Sequence, residues 1–365
     1  MRRSMVVVAV AMAVGALVLP GTAQASPFTA DLILDRLLQR FVLVPGASPG
    51  IGVVVHRGSD LSLHTAGVAD VTTRAPFRLD DHMRLASVAK AFSGAASQGL
   101  IPLNTTVGSL RPDLPAAWSA ITLGQLLNHT SGIPDFSKTP AFVAALLASL
   151  LDPPPPRQLL SFIENDPLLF PPGSRYQYSN SDNIVVGLMV ESFTGKPYEQ
   201  VLAERVFGPF GLSETSLPRD QHVPDPKIHG YEVNPLEDVT ELFAAGWTWA
   251  SGGIVSTPRD ADRFVRAYAA GFSSGPYIAG GSSEPPGPGT NSAGHAIFRY
   301  QTSCGTVYGH TGNTAGYTQF IASTPDGTRS TVVSVNAQLT PSSNLRVFTE
   351  LRNIYQYAVC AALAR

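Results

Sequence analysis

The chain has 365 residues, 44% of them hydrophobic and 14% charged, with a formal net charge of −2. That length suits one large enzyme domain or two intimate ones, and the composition excludes a disordered or solvating chain. There is no basic footprint for nucleic acid, two cysteines exclude a cysteine-rich zinc scaffold, and the eight histidines contain no HExxH, so neither a metal nor a cofactor is expected.

Arg2 and Arg3 precede an apolar run from Met5 to Leu19, followed by Pro20 and the triplet Ala23-Gln24-Ala25. This is the pattern of a secretory signal peptide over residues 1–25. The run has 15 residues, short of the roughly 20 that a bilayer-spanning helix needs, though an uncleaved anchor is the alternative. The expectation is a secreted, extracellular chain starting at Ser26, with no stable membrane anchor and a charge of −4 once Arg2 and Arg3 are removed.

Asp31 to Val42 carries the apolar stripe of a helix. Ile51 to His56 and Leu61 to Val68 are short strand-like runs on either side of Arg57-Gly58-Ser59-Asp60, a hairpin pattern. From about 85 to 245 the patterns are mostly helical and broken by proline-rich loops such as Pro153 to Pro156. A helix is expected from Arg259 to Ala270, and a long flexible loop from Gly280 to Gly294. Strands return at Ala296–Gln301, Thr306–His310, Thr318–Ser323 and Ser330–Ala337, before a last helix from Asn344 to Leu363.

This order predicts an α+β fold: an antiparallel sheet flanked by helices, with an inserted all-helical lobe. Residues 26–84 and 246–365 make the sheet lobe and 85–245 the helical one. A cleft between two such lobes is the natural place for a site.

Gly271-Phe272-Ser273-Ser274-Gly275 matches the G-x-S-x-G nucleophile elbow, which needs a strand before it and a helix after it. A helical pattern precedes it here, so it reads as a loop. Ser87-Val88-Ala89-Lys90 is more informative, because the chain has only four lysines. Residues at i and i+3 share a helix face. A serine hydroxyl needs a base, and a lysine shielded from water can be one. Taken alone, the tetrad also fits a capping serine beside a solvated lysine.

Two more motifs bear on that choice. Tyr178-Ser179-Asn180 follows the rigid Pro171-Pro172-Gly173 and starts a helical pattern. A tyrosine can relay protons, and an asparagine can hold an amide with donor and acceptor together. The overlapping Ser181-Asp182-Asn183 is a confounding match, since no Lys-Thr-Gly exists to complete that motif class. Tyr308-Gly309-His310-Thr311-Gly312 lies on a predicted strand, where Gly312 lets a substrate backbone approach closely. His129-Thr130-Ser131-Gly132 reads as structural.

In this order the three motifs resemble the penicillin-recognising serine hydrolases, and among them the secreted D-alanyl-D-alanine carboxypeptidase of the Streptomyces type, with its class C β-lactamase and esterase kin. The likeness extends to Gly67–Asp70, Leu127–Ile133, Tyr176–Asn180, Trp247–Ser256 and Cys304–Tyr317. It implies an acyl-enzyme route with Ser87 as nucleophile and with Lys90 and Tyr178 as the proton-transfer pair, the acylation base being either of them. Asn180 would bind the substrate amide, with Trp247 beside it. His310 would tune charge near Tyr178. The backbone N–H groups of Ser87 and Asn313 would form the oxyanion hole. Thr311 and Asn313, with Arg299, would meet a substrate carboxylate.

The resemblance further implies a monomer acting on a small peptide, β-lactam or ester, with an esterase, an amidase, a β-lactamase or a non-catalytic penicillin sensor as alternatives. The chain is several residues shorter than its relatives between Lys90 and Leu103, which predicts a truncated helix after Ser87. Two cysteines in an exported chain suggest one disulfide, Cys304 to Cys360.

Overall fold

Strand β1 (Gly50–Arg57) is buried along nearly its whole length, so it must be covered on both faces. It turns through Gly58 and Ser59 into β2 (Asp60–Gly67), with Arg57 opposite Asp60 as the hairpin pattern requires. The computed structural model describes residues 26–365, so the signal-peptide reading lies outside the described residues. Six more strands complete one antiparallel sheet: β3 (Ile278–Ala279), β4 (Thr290–Ala293), β5 (Phe298–Thr302), β6 (Gly305–Thr314), β7 (Tyr317–Ser323) and β8 (Arg329–Val335). Their order is β2-β1-β8-β7-β6-β5-β4-β3. The two ends of the chain therefore meet where β1 pairs with β8, Val53 opposite Val333.

One face of the sheet is covered by α1 (Pro27–Phe41) and α5 (Leu345–Leu363), which also pack on each other. Ser26 caps α1 by accepting from the Thr29 N–H, Pro27 fits the first turn, and Ala30, Leu34, Leu38 and Phe41 form its buried stripe. Asn344 caps α5 in the same way through the Val347 N–H. The other face takes α4 (Pro258–Phe272). Cys304, in the turn between β5 and β6, is bonded to Cys360 of α5 as expected, with Cα atoms 5.2 Å apart.

The helical lobe holds α2 (Ala89–Ser97) and α3 (Asn180–Thr194). Helix α2 has only nine residues, as the shortened segment predicted, yet every one is buried. Phe92 stacks on Phe264 of α4 at 3.6 Å between ring centroids, so the packing behind Ser87 is closed.

Two expectations change. The segment Gly280–Gly294 is not a free loop. It contains β4, and the Asn291 side chain ties it together by accepting from Ser282 Oγ and the Gly287 N–H. Within 85–245, a small hairpin (Tyr231–Val233 with Leu236–Asp238) leaves the helices for the sheet, where the Tyr231 N–H donates to the Asn336 carbonyl.

Candidate active site

Ser87 sits in a tight turn (Ala86–Val88) that leads into α2. Ala86 there has φ +50°, a left-handed backbone that costs a non-glycine residue about 1–2 kcal/mol. Strand β6 presses on the same turn. A Cβ added to Gly312 would lie 2.2 Å from the Leu85 carbonyl oxygen and 3.2 Å from the Ser87 nitrogen, so only glycine lets strand and turn touch. Gly312 was expected to admit a substrate backbone; the close approach seen here is that of the Ser87 turn. Strand β5 pairs with β6 only as far as Gly309, opposite Phe298. The β6 edge from His310 to Thr314 has no partner among the strands described, which leaves its amides beside Ser87.

Lys90 is wholly buried. Its Nζ lies 3.1 Å from Ser87 Oγ, 2.7 Å from Asn180 Oδ1 and 2.7 Å from the Ser251 carbonyl oxygen. Burial pushes its pKa down from 10.5 to about 7, against the opposing pull of Asp135, Glu284 and Asp182. A neutral amine keeps two donors and one lone pair. The donors serve Asn180 and Ser251, and the lone pair faces the Ser87 hydroxyl.

Asn180 is fixed from its other end. Its Nδ2 donates to Asp135 Oδ2 at 3.1 Å and to Ser137 Oγ at 2.9 Å. Tyr178 is buried, its ring 5.0 Å from Lys90 Nζ. Burial drives its hydroxyl pKa well above 10, with the nearby Ser87 pulling the other way. Among the described residues no partner meets hydrogen-bond geometry at that hydroxyl. It therefore stays protonated and is poised as a donor.

His129 had been read as structural from the sequence. Its ring lies 4.6 Å from the Tyr178 ring, and its Nδ1 is 2.8 Å from Asp182 Oδ2. Burial lowers the histidine pKa to about 3 and raises that of Asp182, so both favour neutral forms. This pair braces Tyr178 from behind, and Ser181 bonds the Pro134 carbonyl. The rejected Ser181-Asp182-Asn183 triplet is thus scaffolding for the site. Asp135, Ser137 and Glu284 were also missed, because no local pattern marks them, and Ser251 lay within the Trp247–Ser256 likeness without a role assigned to it.

Four residues differ from expectation. His310 is fully buried, and burial lowers its pKa to about 3, which favours the neutral ring over the charged one expected beside Tyr178. The Thr311 hydroxyl is buried and donates to Ser283 Oγ or the Pro285 carbonyl, so it does not face substrate. The Asn313 side chain lines the cleft, but its Nδ2 is held by Thr318 and the Leu339 carbonyl. Arg299 lies 4.8 Å over the Tyr277 ring and is not among the residues lining the cleft.

Ser87, Ser137, Asn180 and Asn313 separate two chambers. One, of about 320 Å³, is walled by Phe136, Phe142, Leu146, Leu150, Phe243 and Trp247. Trp247 is pinned there by donating its indole N–H to the Ser149 carbonyl. The other, of about 460 Å³, adds Tyr178, Lys138, Glu284 and Pro341.

A β-lactamase family model matches residues 34–355. The chain belongs to the β-lactamase family. Family members include a D-aminopeptidase of Cereibacter sphaeroides, 29% identical over 64% of this chain. The match spans about 45% of that relative's length. Penicillin-binding protein 4* of Bacillus subtilis is 25% identical over 52% of this chain and 42% of its own. Among solved structures, a D-stereospecific amidohydrolase from Streptomyces sp. superposes with a TM-score of 0.74 at 27% identity, covering 87% of this chain and 97% of that one. The family and its α+β fold are as expected. The narrower likeness to a carboxypeptidase is not what these relatives' names carry.

Proposed function

We propose that this chain is a serine amidohydrolase that cleaves small amides or short peptides with a bulky apolar group on the acyl side. The observation that carries this reading is the buried Lys90 amine in contact with Ser87 Oγ. Lys90 takes the Ser87 proton as Oγ attacks the carbonyl carbon. The oxyanion is received by the N–H groups of Ser87 and Asn313, a pair of donors of the kind whose loss costs about 10²–10³ in rate. Tyr178 passes its proton to the leaving nitrogen and regains one from Lys90. Water then attacks the acyl-enzyme by the reverse relay, which releases the acid and restores Ser87.

The apolar chamber supports the acyl preference, since Leu147 and Leu242 at its mouth remain exposed (69% and 42%). The names of the relatives, D-aminopeptidase and D-stereospecific amidohydrolase, favour D-amino-acid substrates. A D-alanyl-D-alanine carboxypeptidase is the second reading. Lys138 favours it, as a cation in the cleft for a substrate carboxylate, while the placements of Thr311 and Arg299 weigh against it. The Cys304–Cys360 bond supports export, and we take the chain to work as a secreted monomer.

The test exposes the protein to a fluorophosphonate or penicillin and follows mass, then compares D-phenylalaninamide with diacetyl-L-Lys-D-Ala-D-Ala. Modification at Ser87, absent in Ser87→Ala, with faster turnover of the amide is expected. Modification at Ser273 would sink the nucleophile assignment. Release of D-Ala alone would put the carboxypeptidase reading first.

A further inference from the structure

Among the described residues lining the two chambers, only Lys138 and Glu284 carry charge. Lys138 ends the turn Phe136–Lys138, next to the Ser137 that holds Asn180. Glu284 lies between β3 and β4. Lys138 Nζ donates to both Glu284 oxygens, at 3.2 and 3.0 Å. The pair thus crosses the cleft from the helical lobe to the sheet lobe, in the chamber that holds Ser87 and Tyr178.

Both side chains are half-exposed, Lys138 at 55% and Glu284 at 56%, and among the described residues each charged end bonds only the other. The backbone beside Glu284 is anchored: the buried Thr311 hydroxyl reaches the neighbouring Pro285 carbonyl and Ser283 Oγ, which ties this segment to β6. An exposed pair of this kind is held weakly, so a competing ammonium can take the place of the lysine. The free protein thus shows an alkylammonium seated on a carboxylate in the chamber that holds Ser87.

We propose that Glu284 recognises a free ammonium group on the substrate, and that Lys138 is its tethered stand-in when no substrate is bound. This rests on the amidohydrolase reading of the cleft and specifies the substrate class: amides or esters of an amino acid with a free amino group. Such an acyl residue straddles Ser87. Its apolar side chain fills the chamber beside Trp247, and its ammonium displaces Lys138 from Glu284. The buried Thr311 then acts as a positioning residue for the Glu284 segment.

The pair makes opposite predictions for its two halves. kcat/KM is measured at pH 7 on D-phenylalaninamide and on N-acetyl-D-phenylalaninamide, and on the methyl esters of the same two acids. Glu284→Gln should lower the ratio of kcat/KM on free-amine to that on acetylated substrates by about tenfold, a ratio from which any shared effect on Lys90 cancels. Lys138→Ala removes the competitor and should raise kcat/KM on the free-amine substrates by about two- to fivefold. The wild-type advantage over Glu284→Gln should fade above pH 8, where an α-amino group, with a pKa of about 7.7–8.0, loses its charge. Changes in the same direction in both variants, or equal effects on free and acetylated substrates, would make the pair a structural tether and overturn the proposal. Turnover of the esters but neither amide would remove the amidohydrolase reading, and Glu284 would then stand or fall on the ester ratio.

Discussion

Replacing Lys90 with methionine separates what the buried amine does for catalysis from what it costs the fold. Its folded pKa is about 7, against 10.5 in water. At 1.36 kcal/mol per pH unit the difference corresponds to about 5 kcal/mol between the two protonation states. Between pH 7 and 10.5 the unfolded chain binds a proton at Lys90 that the folded chain does not, so this group makes stability rise with pH over that window. Below pH 7 both states are protonated and the full burial penalty applies.

Lys90→Met removes the titration but leaves Asn180 Oδ1 and the Ser251 carbonyl without their donor, a loss of about 1–3 kcal/mol each that varies little with pH. The stability of the wild type relative to Lys90→Met should therefore rise by about 3 kcal/mol from pH 6 to pH 9. Denaturant unfolding of both proteins, with the disulfide intact, measures this. Alongside it, kcat/KM of the wild type should climb through an acid limb near pH 7, as Lys90 becomes able to take the Ser87 proton. Lys90→Arg, which keeps the charge but cannot give up a proton, should be inactive at every pH. A stability difference that is flat from pH 6 to 9, or an active Lys90→Arg, would refute the assignment of Lys90 as the base.

Gly312→Ala puts a methyl group 2.2 Å from the Leu85 carbonyl oxygen and must push β6 off the Ser87 turn. Fluorophosphonate acylation should slow by about 10²–10³-fold, the range for a lost oxyanion donor; an unchanged rate would remove β6 from the oxyanion hole. The double variant Cys304→Ser/Cys360→Ser opens a loop of 56 residues in sequence. Unfolding should show a loss of about 4 kcal/mol, less where the unfolded chain retains structure, with kcat/KM at 25 °C unchanged because the bond lies outside both chambers.

Much of this protein was legible from local pattern. The β1–β2 hairpin, the C-terminal strands and the outer helices follow from apolar spacing, which depends only on which side chains share a face. Ser87 and Lys90 stood out because a spacing of three in a helical run puts both on one side, in a chain with few lysines. The Cys304–Cys360 bond needed no more than a count of two. Direction and burial were not legible. That Thr311 turns to Pro285, that Arg299 lies on Tyr277 and that burial favours the neutral form of His310 depend on strands and loops that meet only after folding.

Sequence alone thus determined the fold class, which is written in short-range periodicity, and singled out Ser87 as the candidate nucleophile through its motif and the family likeness. Tertiary structure decided the chemistry. The Lys90 amine is suited to the base role we propose because Asn180, 90 residues away, and Ser251, 161 away, close over it in a buried site. The protonation state of a side chain is set by everything packed around it, and that surrounding is assembled from the whole chain at once.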